Sequence, residues 1–155
     1  MRDASMEDIT KFLECKRVAI VGVSRDSKHF SRALFREFVA KGYDPIPVNP
    51  CSQEIEGRKC FPRLAEISPP VDAALLMTGT AEVTDQVVQE SCQVRIRNIW
   101  IYGTPNGDSG RWVEFCRQRG STVIEGYCPL MFLPRPGWFH RVHRVLLKLS
   151  GSHPL

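Results

Sequence analysis

Hydrophobic residues in this chain form short continuous runs that alternate with segments where they recur every three or four positions. The short runs are rich in β-branched residues and stop at glycine, proline or polar residues, which is typical of strands buried on both faces of a parallel sheet. Pro45 and Pro47 lack amide hydrogens, so the run that contains them is predicted near a sheet edge. The predicted strands are residues 18–23, 44–48, 71–77, 98–102 and 121–124.

The segments between these runs predict helices. Ser5 is suited to cap a short first helix, and Ser31 is suited to cap a second helix that runs through Lys41. Gly42 stands where a helix commonly ends in a left-handed residue. Further helices are predicted after Thr80, before Gly120 and from Pro136 onward.

Strands that alternate with helices of roughly ten residues indicate a parallel sheet with helices on both faces and right-handed connections. The length of 155 residues is typical of one domain, and the sequence contains no internal repeat and no convincing linker. The sequence therefore predicts a single α/β domain over residues 1–155. Its fold is expected to be Rossmann-like and doubly wound, with a mainly parallel sheet of about five strands.

Composition narrows the class of partner. The 21 lysine and arginine residues are spread along the chain, with no basic run interleaved with aromatic residues, so no nucleic acid is expected. No apolar stretch is long enough for a membrane helix, and no secretory signal precedes the first helix, so we expect a cytoplasmic protein. The six cysteines are widely spaced, which favours reduced thiols over a disulfide framework.

The loop after the first predicted strand is the best candidate for a ligand site, because open α/β sheets bind ligands beyond the carboxyl ends of their strands. Gly22 lets a phosphate approach the backbone, and the start of the following helix is expected to offer unpaired amides. A solvated loop that happens to be basic is an equal alternative on this evidence alone. The loop's cations and hydroxyl groups are Ser24, Arg25, Lys28, Ser31 and Arg32.

Two features argue against NAD as the ligand. The dinucleotide fingerprint GxGxxG is absent, since the residues from Gly22 onward read GVSRDS. The second strand ends in Val48, Asn49 and Pro50, without the acidic residue that holds the ribose hydroxyls of NAD. A ligand with a phosphate on its ribose, such as NADP or coenzyme A, stays open.

Several segments together resemble a known family. The segment VAIVGVSRDSKHFSRALFREFVAKGYDPIPVNP, followed by EIEGRKCFPRLAEI and VDAALLM, resembles the CoA-binding domain family. These are small Rossmann proteins similar to the CoA-binding domain of the succinyl-CoA synthetase alpha subunit. The resemblance covers roughly residues 17–127. The ending CPLMFLPRPGWFHRVHR resembles the C-terminal portion of some stand-alone members.

The resemblance implies that the loop from Gly22 to Arg25 contacts CoA phosphates and that Asn49 and Pro50 line the adenosine site. It also implies that the ends of the third and fourth strands border the ligand. No catalytic residue and no metal ligand is implied, and the synthetase's phosphorylated histidine belongs to a second domain that a chain of this length is not expected to contain. The expected ligand contacts are Gly22, Val23, Ser24, Arg25, Lys28, Ser31, Asn49, Pro50, Met77, Thr78, Tyr102 and Gly103.

Four functional hypotheses follow. The first is non-covalent binding of coenzyme A or an acyl-CoA, with catalysis not required. The alternatives are an NADP-dependent oxidoreductase, a protein-interaction module with a vestigial site, and a thiol enzyme that uses Cys128 with His140. His140 and His143 lack further ligands at zinc spacing. Trp138 and the last predicted helix either close the core or contact a second copy, so a homodimer stays open.

Overall fold

The computed structural model of this protein describes residues 4–103 and 109–133. Within these ranges the chain forms helices and strands that alternate as the hydrophobic pattern predicts. The helices are α1 Met6–Glu14, α2 Phe30–Ala40, α3 Ala81–Gln93 and α4 Ser109–Arg117. The strands are β1 Arg17–Val21, β2 Asp44–Val48, β3 Glu54–Ile55, β4 Arg58–Lys59, β5 Ala73–Leu76, β6 Asn98–Ile101 and β7 Thr122–Glu125.

Five of these strands form one sheet in the order β2-β1-β5-β6-β7, and every neighbouring pair is parallel. The chain winds from β1 to β2 on one side and then crosses to β5 on the other side, so the topological switch point lies between β1 and β5. The proline-containing strand β2 is an edge strand, which confirms the prediction from Pro45 and Pro47. Strands β3 and β4 form a separate antiparallel hairpin.

Two hydrophobic clusters cover the two faces of the sheet. Helices α1 and α2 pack on one face, where Phe12, Phe35 and Trp100 are fully buried. Helices α3 and α4 pack on the other face, where Val88 and Trp112 are buried. Side chains of the central strands β1 and β5 alternate between the two clusters, which explains why residues 18–21 and 73–76 are apolar without interruption. The doubly wound, Rossmann-like α/β fold is confirmed.

Of the two helix caps that the sequence predicts, the first is confirmed and the second is not. Ser5 caps α1 and accepts a hydrogen bond from the Asp8 amide, and Thr80 caps α3. The prediction for Ser31 is wrong, because α2 begins at Phe30 and its cap is His29, whose ring accepts a hydrogen bond from the Ser31 amide. That amide, expected to be available to a ligand, is therefore paired within the protein.

Some predictions fall outside the described residues. The last predicted helix from Pro136, the histidines His140 and His143, and the proposed contact at Trp138 all belong to residues 134–155, for which no structure is described. Among the helices that are described, none combines the length and apolar character required to cross a bilayer.

Candidate functional site

The residues that follow β1 and β5 meet at the switch point of the sheet. The Gly22 amide donates to the Val48 carbonyl at 3.0 Å, and the Met77 amide donates to the Val21 carbonyl at 2.9 Å. One strand further along, the Tyr102 amide donates to the Leu76 carbonyl at 3.0 Å. These bonds extend the parallel ladder by one residue, so the loops that carry the predicted site start from one edge of the sheet.

Gly22 is required at this position for two reasons. Its φ of +88° lies in the left-handed region that side-chain-bearing residues avoid. A Cβ atom built on Gly22 would lie 2.3 Å from the Met77 carbonyl oxygen, which is part of the backbone. The missing side chain therefore lets the first loop turn sharply against the end of β5.

A cleft of about 630 Å³ opens beside Gly22 on the α3 face of the sheet. We call it the switch-point cleft. One wall is formed by the ends of β1, β2 and β5, and the opposite wall by the segment 62–65 and by Val83, Val87 and Glu90 of α3. Five of the predicted ligand contacts line it: Gly22, Asn49, Pro50, Met77 and Thr78.

The loop between β1 and α2 is held by partly buried hydrogen bonds. The Ser31 hydroxyl is fully buried and accepts the Ser24 amide at 2.9 Å. The same hydroxyl lies 2.8 Å from Nδ1 of His29, which also accepts the Ser31 amide at 3.1 Å. Nδ1 is therefore the acceptor of the Ser31 amide. Ser31 thus supports the loop through contacts inside the protein.

Arg32, expected as a phosphate-binding cation, is engaged within the protein. Its Nη1 donates to the carbonyls of Ser24 and Arg25 at 3.2 and 3.1 Å. Its Nε donates to Oε1 of Glu56 at 2.8 Å, and Arg36 makes a second ion pair with the same oxygen. The hydrogen bond from Arg36, together with Arg32, lowers the pKa of the Glu56 carboxyl. By contrast, the side chains of Arg25 and Lys28 are exposed on the loop.

Asn49 connects the loops that follow the first two strands. Its Nδ2 donates to the Val23 carbonyl at 2.8 Å, and its Oδ1 accepts the Cys51 amide at 2.8 Å. Its own backbone amide donates to the Phe61 carbonyl at 2.9 Å. The side-chain amide of Asn49 therefore positions the backbone at Val23 and Cys51. Pro50 beside it is exposed and lines the cleft.

The remaining predicted contacts lie apart from the cleft lining. Val23 is fully buried in the core under α2. Tyr102 packs its ring against Phe30, with the ring centroids 5.8 Å apart, and burial raises the pKa of the Tyr102 hydroxyl. Gly103 is exposed and has a φ of +76°. Tyr102 and Gly103, at the carboxyl end of β6, therefore belong to a second surface, which β5 separates from the cleft.

Two functional candidates were missed by sequence reasoning. Arg63 lines the cleft with an exposed side chain, 3.3 Å from the Glu66 carboxylate. Glu90 of α3 accepts the Ala65 amide at 3.0 Å and so joins α3 to the segment 62–65. Arg63 lies within the segment CFPRLAEI that carried part of the resemblance, and a cation after the second strand was the available signal. No sequence pattern around Glu90 indicates that it lies at the cleft.

The family model described as CoA binding domain matches residues 16–134. The chain belongs to the CoA binding domain family. This finding confirms the resemblance seen in the sequence. The switch-point cleft of this CoA binding domain is lined by Gly22, by the exposed cation Arg63 and by apolar valines of α3. Its surface therefore suits a ligand that has both charged and apolar parts.

Relatives of this CoA binding domain share most of its length. The uncharacterised protein YneT of Bacillus subtilis is 28% identical over 130 residues, which is 83% of this chain and 93% of that protein. A conserved hypothetical protein from Pyrococcus furiosus matches with a TM-score of 0.64 and 26% identity, covering 73% of this chain and 95% of its own. A dinucleotide-forming acetyl-coenzyme A synthetase from Ca. Korarchaeum cryptofilum, in complex with phosphate and ADP, matches with a TM-score of 0.64 and 20% identity. That match covers 76% of this chain and 27% of the synthetase.

Proposed function

We propose that this protein binds coenzyme A or an acyl-CoA non-covalently, with the phosphates at the loop after β1 and the rest of the nucleotide in the switch-point cleft. The observation that carries the proposal is the conformation of Gly22. A left-handed glycine with no room for a Cβ turns the chain sharply against the end of β5 at the edge of a cleft, the kind of turn that directs a phosphate-binding loop toward its ligand. Membership of the CoA binding domain family supports the choice of ligand.

The predicted contacts divide into two roles under this proposal. Arg25 and Lys28 are exposed cations on the loop and would pair with phosphate oxygens, as Arg63 would from the opposite wall. Asn49 and Ser31 would act indirectly, because their polar atoms hold the loop backbone in place. Tyr102 and Gly103 would meet only a part of the ligand that extends along the sheet edge beyond β5.

The end of β2 favours a ligand with a phosphorylated ribose. Asn49 stands where NAD-binding domains carry an acidic residue, and the Asn49 amide group is already occupied by Val23 and Cys51. The end of β2 carries no carboxylate at this position, so a ribose phosphate would not be repelled there. Coenzyme A satisfies this condition, and NADP satisfies it as well, so the experiment has to compare the two.

Isothermal titration calorimetry of the reduced protein with coenzyme A, dephospho-CoA, NADPH and ATP tests the proposal. We expect one-to-one binding of coenzyme A and weaker binding of dephospho-CoA, which lacks the ribose phosphate. Arg25→Ala should weaken coenzyme A binding roughly tenfold, the scale of one charge-assisted hydrogen bond. Arg117→Ala is the matched control, because this exposed arginine ends α4 at the opposite edge of the sheet.

The other outcomes identify the alternatives. Tighter binding of NADPH than of coenzyme A would move the protein to the oxidoreductase class. An absence of heat with all four compounds, together with an unchanged melting temperature, would contradict nucleotide binding and leave a protein-interaction module. Equal losses with Arg25→Ala and Arg117→Ala would contradict the assignment of phosphates to this loop.

A further inference from the structure

Two cysteines on neighbouring helices have their sulfur atoms in contact. Cys92 lies in the last turn of α3 and Cys116 in the last turn of α4. Their Sγ atoms are 3.5 Å apart, and both cysteines are free thiols. A disulfide bond requires about 2 Å between the sulfurs, so a small movement of two helix ends would bring them into bonding range.

The two thiols differ in their access to solvent. Cys116 is fully buried in the core between the sheet and α4, and burial raises the pKa of its thiol. Cys92 is half-buried and faces an open surface hollow of about 400 Å³. Arg119 lies on the rim of this hollow with its guanidinium over the Phe115 ring. A small oxidant can therefore reach Cys92 directly from this hollow, which Arg119 also lines.

We propose that Cys92 and Cys116 form a redox-sensitive dithiol that hydrogen peroxide closes to a disulfide, and that this disulfide regulates ligand binding in the switch-point cleft. The Cys92 sulfur, as its thiolate, bonds to one peroxide oxygen while the O–O bond breaks, which gives a sulfenic acid, and the released hydroxide takes up the proton that Cys92 lost and leaves as one water. The Cys116 sulfur then attacks the sulfenic sulfur, and the departing hydroxyl leaves with the Cys116 proton as the second water. Two thiols lose two electrons, and one peroxide is reduced to two waters.

Helix α3 provides the connection between the dithiol and the cleft. Its residues Val83, Val87 and Glu90 line the cleft, and Gln93 borders both the cleft and the hollow at Cys92. The Glu90 carboxylate accepts the Ala65 amide at 3.0 Å and so joins α3 to the segment 62–65 in one wall of the cleft. A disulfide would draw the last turn of α3 toward α4 and away from Ala65, which would break this hydrogen bond, distort the wall that α3 and the segment 62–65 form, and weaken ligand binding.

Peptide mapping under non-reducing conditions tests the dithiol itself. The reduced protein is treated with stoichiometric hydrogen peroxide, its remaining thiols are alkylated, and disulfide-linked peptides are identified by mass spectrometry. We expect a Cys92–Cys116 linkage that is absent in Cys92→Ser and retained in Cys51→Ser, a control for an exposed cysteine elsewhere. Disulfide linkage of other cysteines would overturn the proposal. Over-oxidation of Cys92 would also overturn it if Cys116 is recovered as a free thiol that has been alkylated.

Calorimetry with coenzyme A tests the regulation, which rests on the proposed function. The oxidised protein should bind coenzyme A about fivefold more weakly than the reduced protein, the lower range of typical coupling between sites. Dithiothreitol should restore the affinity, and peroxide should have no effect on the affinity of Cys92→Ser. Equal affinities of the two forms would overturn the regulation. If the reduced protein binds no coenzyme A, the proposed function fails, while the peptide map still decides whether the dithiol exists.

Discussion

Two separate constraints act on Gly22, and they have different physical origins. The left-handed φ of +88° penalises any L side chain through contacts within the residue itself. The 2.3 Å approach to the Met77 carbonyl oxygen is a tertiary constraint, since it depends on β5 lying beside β1. Gly42 shares the first constraint, with a φ of +86°, and has open space around its Cβ position. The chain therefore contains an internal control for the effect of crowding.

We expect Gly22→Ala to destabilise the protein more than Gly42→Ala. Gly42→Ala should lower the free energy of unfolding by about 1 to 2 kcal/mol, the cost of a left-handed alanine. Gly22→Ala adds the clash with Met77, so its loss should exceed that of Gly42→Ala, and it alone should weaken coenzyme A binding. Urea unfolding and calorimetry measure the two quantities. Equal effects of both substitutions would contradict a special role for Gly22.

At the scale of elements, the β3–β4 hairpin supports the loop that follows β1. Glu56 sits at the tip of this hairpin in a left-handed conformation, with a φ of +52°. Its carboxylate pairs with Arg32 and Arg36 of α2, and Arg32 holds the Ser24 and Arg25 carbonyls. The loop therefore depends on a contact between residues 24 positions apart in the chain.

Glu56→Gln should loosen the loop after β1 while leaving the fold intact. The substitution removes the charge that pairs with both arginines, so we expect a loss of about 1 kcal/mol in the free energy of unfolding. Amide hydrogen exchange in residues 24–28 should become faster. Glu54→Gln, an exposed change in the same hairpin, should alter neither quantity. Unchanged exchange in the loop would contradict the support that the hairpin is inferred to give.

Helix starts could be predicted where the capping side chain bonds a nearby amide and no distant residue competes for that side chain. Ser5 and Thr80 each precede their helix and accept an amide within three residues, a pattern that sequence alone reveals. The start of α2 was missed because the Ser31 hydroxyl accepts a hydrogen bond from the Ser24 amide, seven residues earlier in the chain, and does not cap the helix. The ring of His29 then takes the cap position, which the sequence pattern does not disclose.

At the scale of the whole molecule, Glu125 links stability to pH. It ends β7, and within the part of the chain that the structure describes, its Oε1 has no hydrogen-bond partner. Burial raises the pKa of Glu125 from 4.5 to about 7. A carboxyl whose pKa is raised by folding binds its proton more tightly in the native state, so its contribution to stability is complete below pH 4.5 and declines until about pH 7.

Glu125→Gln should therefore stabilise the protein at neutral and alkaline pH. The amide carries no charge, so the penalty for burying a carboxylate disappears above pH 7, whereas at pH 4.5 the wild-type carboxyl is largely protonated. Thermal unfolding followed by circular dichroism should give a higher melting temperature for the variant at pH 8 and similar values at pH 4.5. Glu37→Gln, an exposed change on α2, should behave as wild type. Parallel pH curves for all three proteins would contradict this account.

The sequence by itself determined the alternation of strands and helices, the edge position of β2 and the glycine after β1. These features depend on local periodicity and on the backbone preferences of proline and glycine. Five of the expected contacts, including Gly22, Asn49 and Thr78, do line one cleft. The contact roles of the full predicted set remain predictions, although the family that suggested them is confirmed.

Only the tertiary structure decided which polar groups are available to a ligand. Arg32 is paired with Glu56 and Asn49 with Val23, while Arg63 and the α3 residues form the far wall of the cleft. The contact between Cys92 and Cys116 likewise joins two helices that are separate in the sequence. Hydrophobic periodicity determines where a strand or helix forms and which side is buried. It does not encode the order of strands in the sheet, and that order brings distant side chains together.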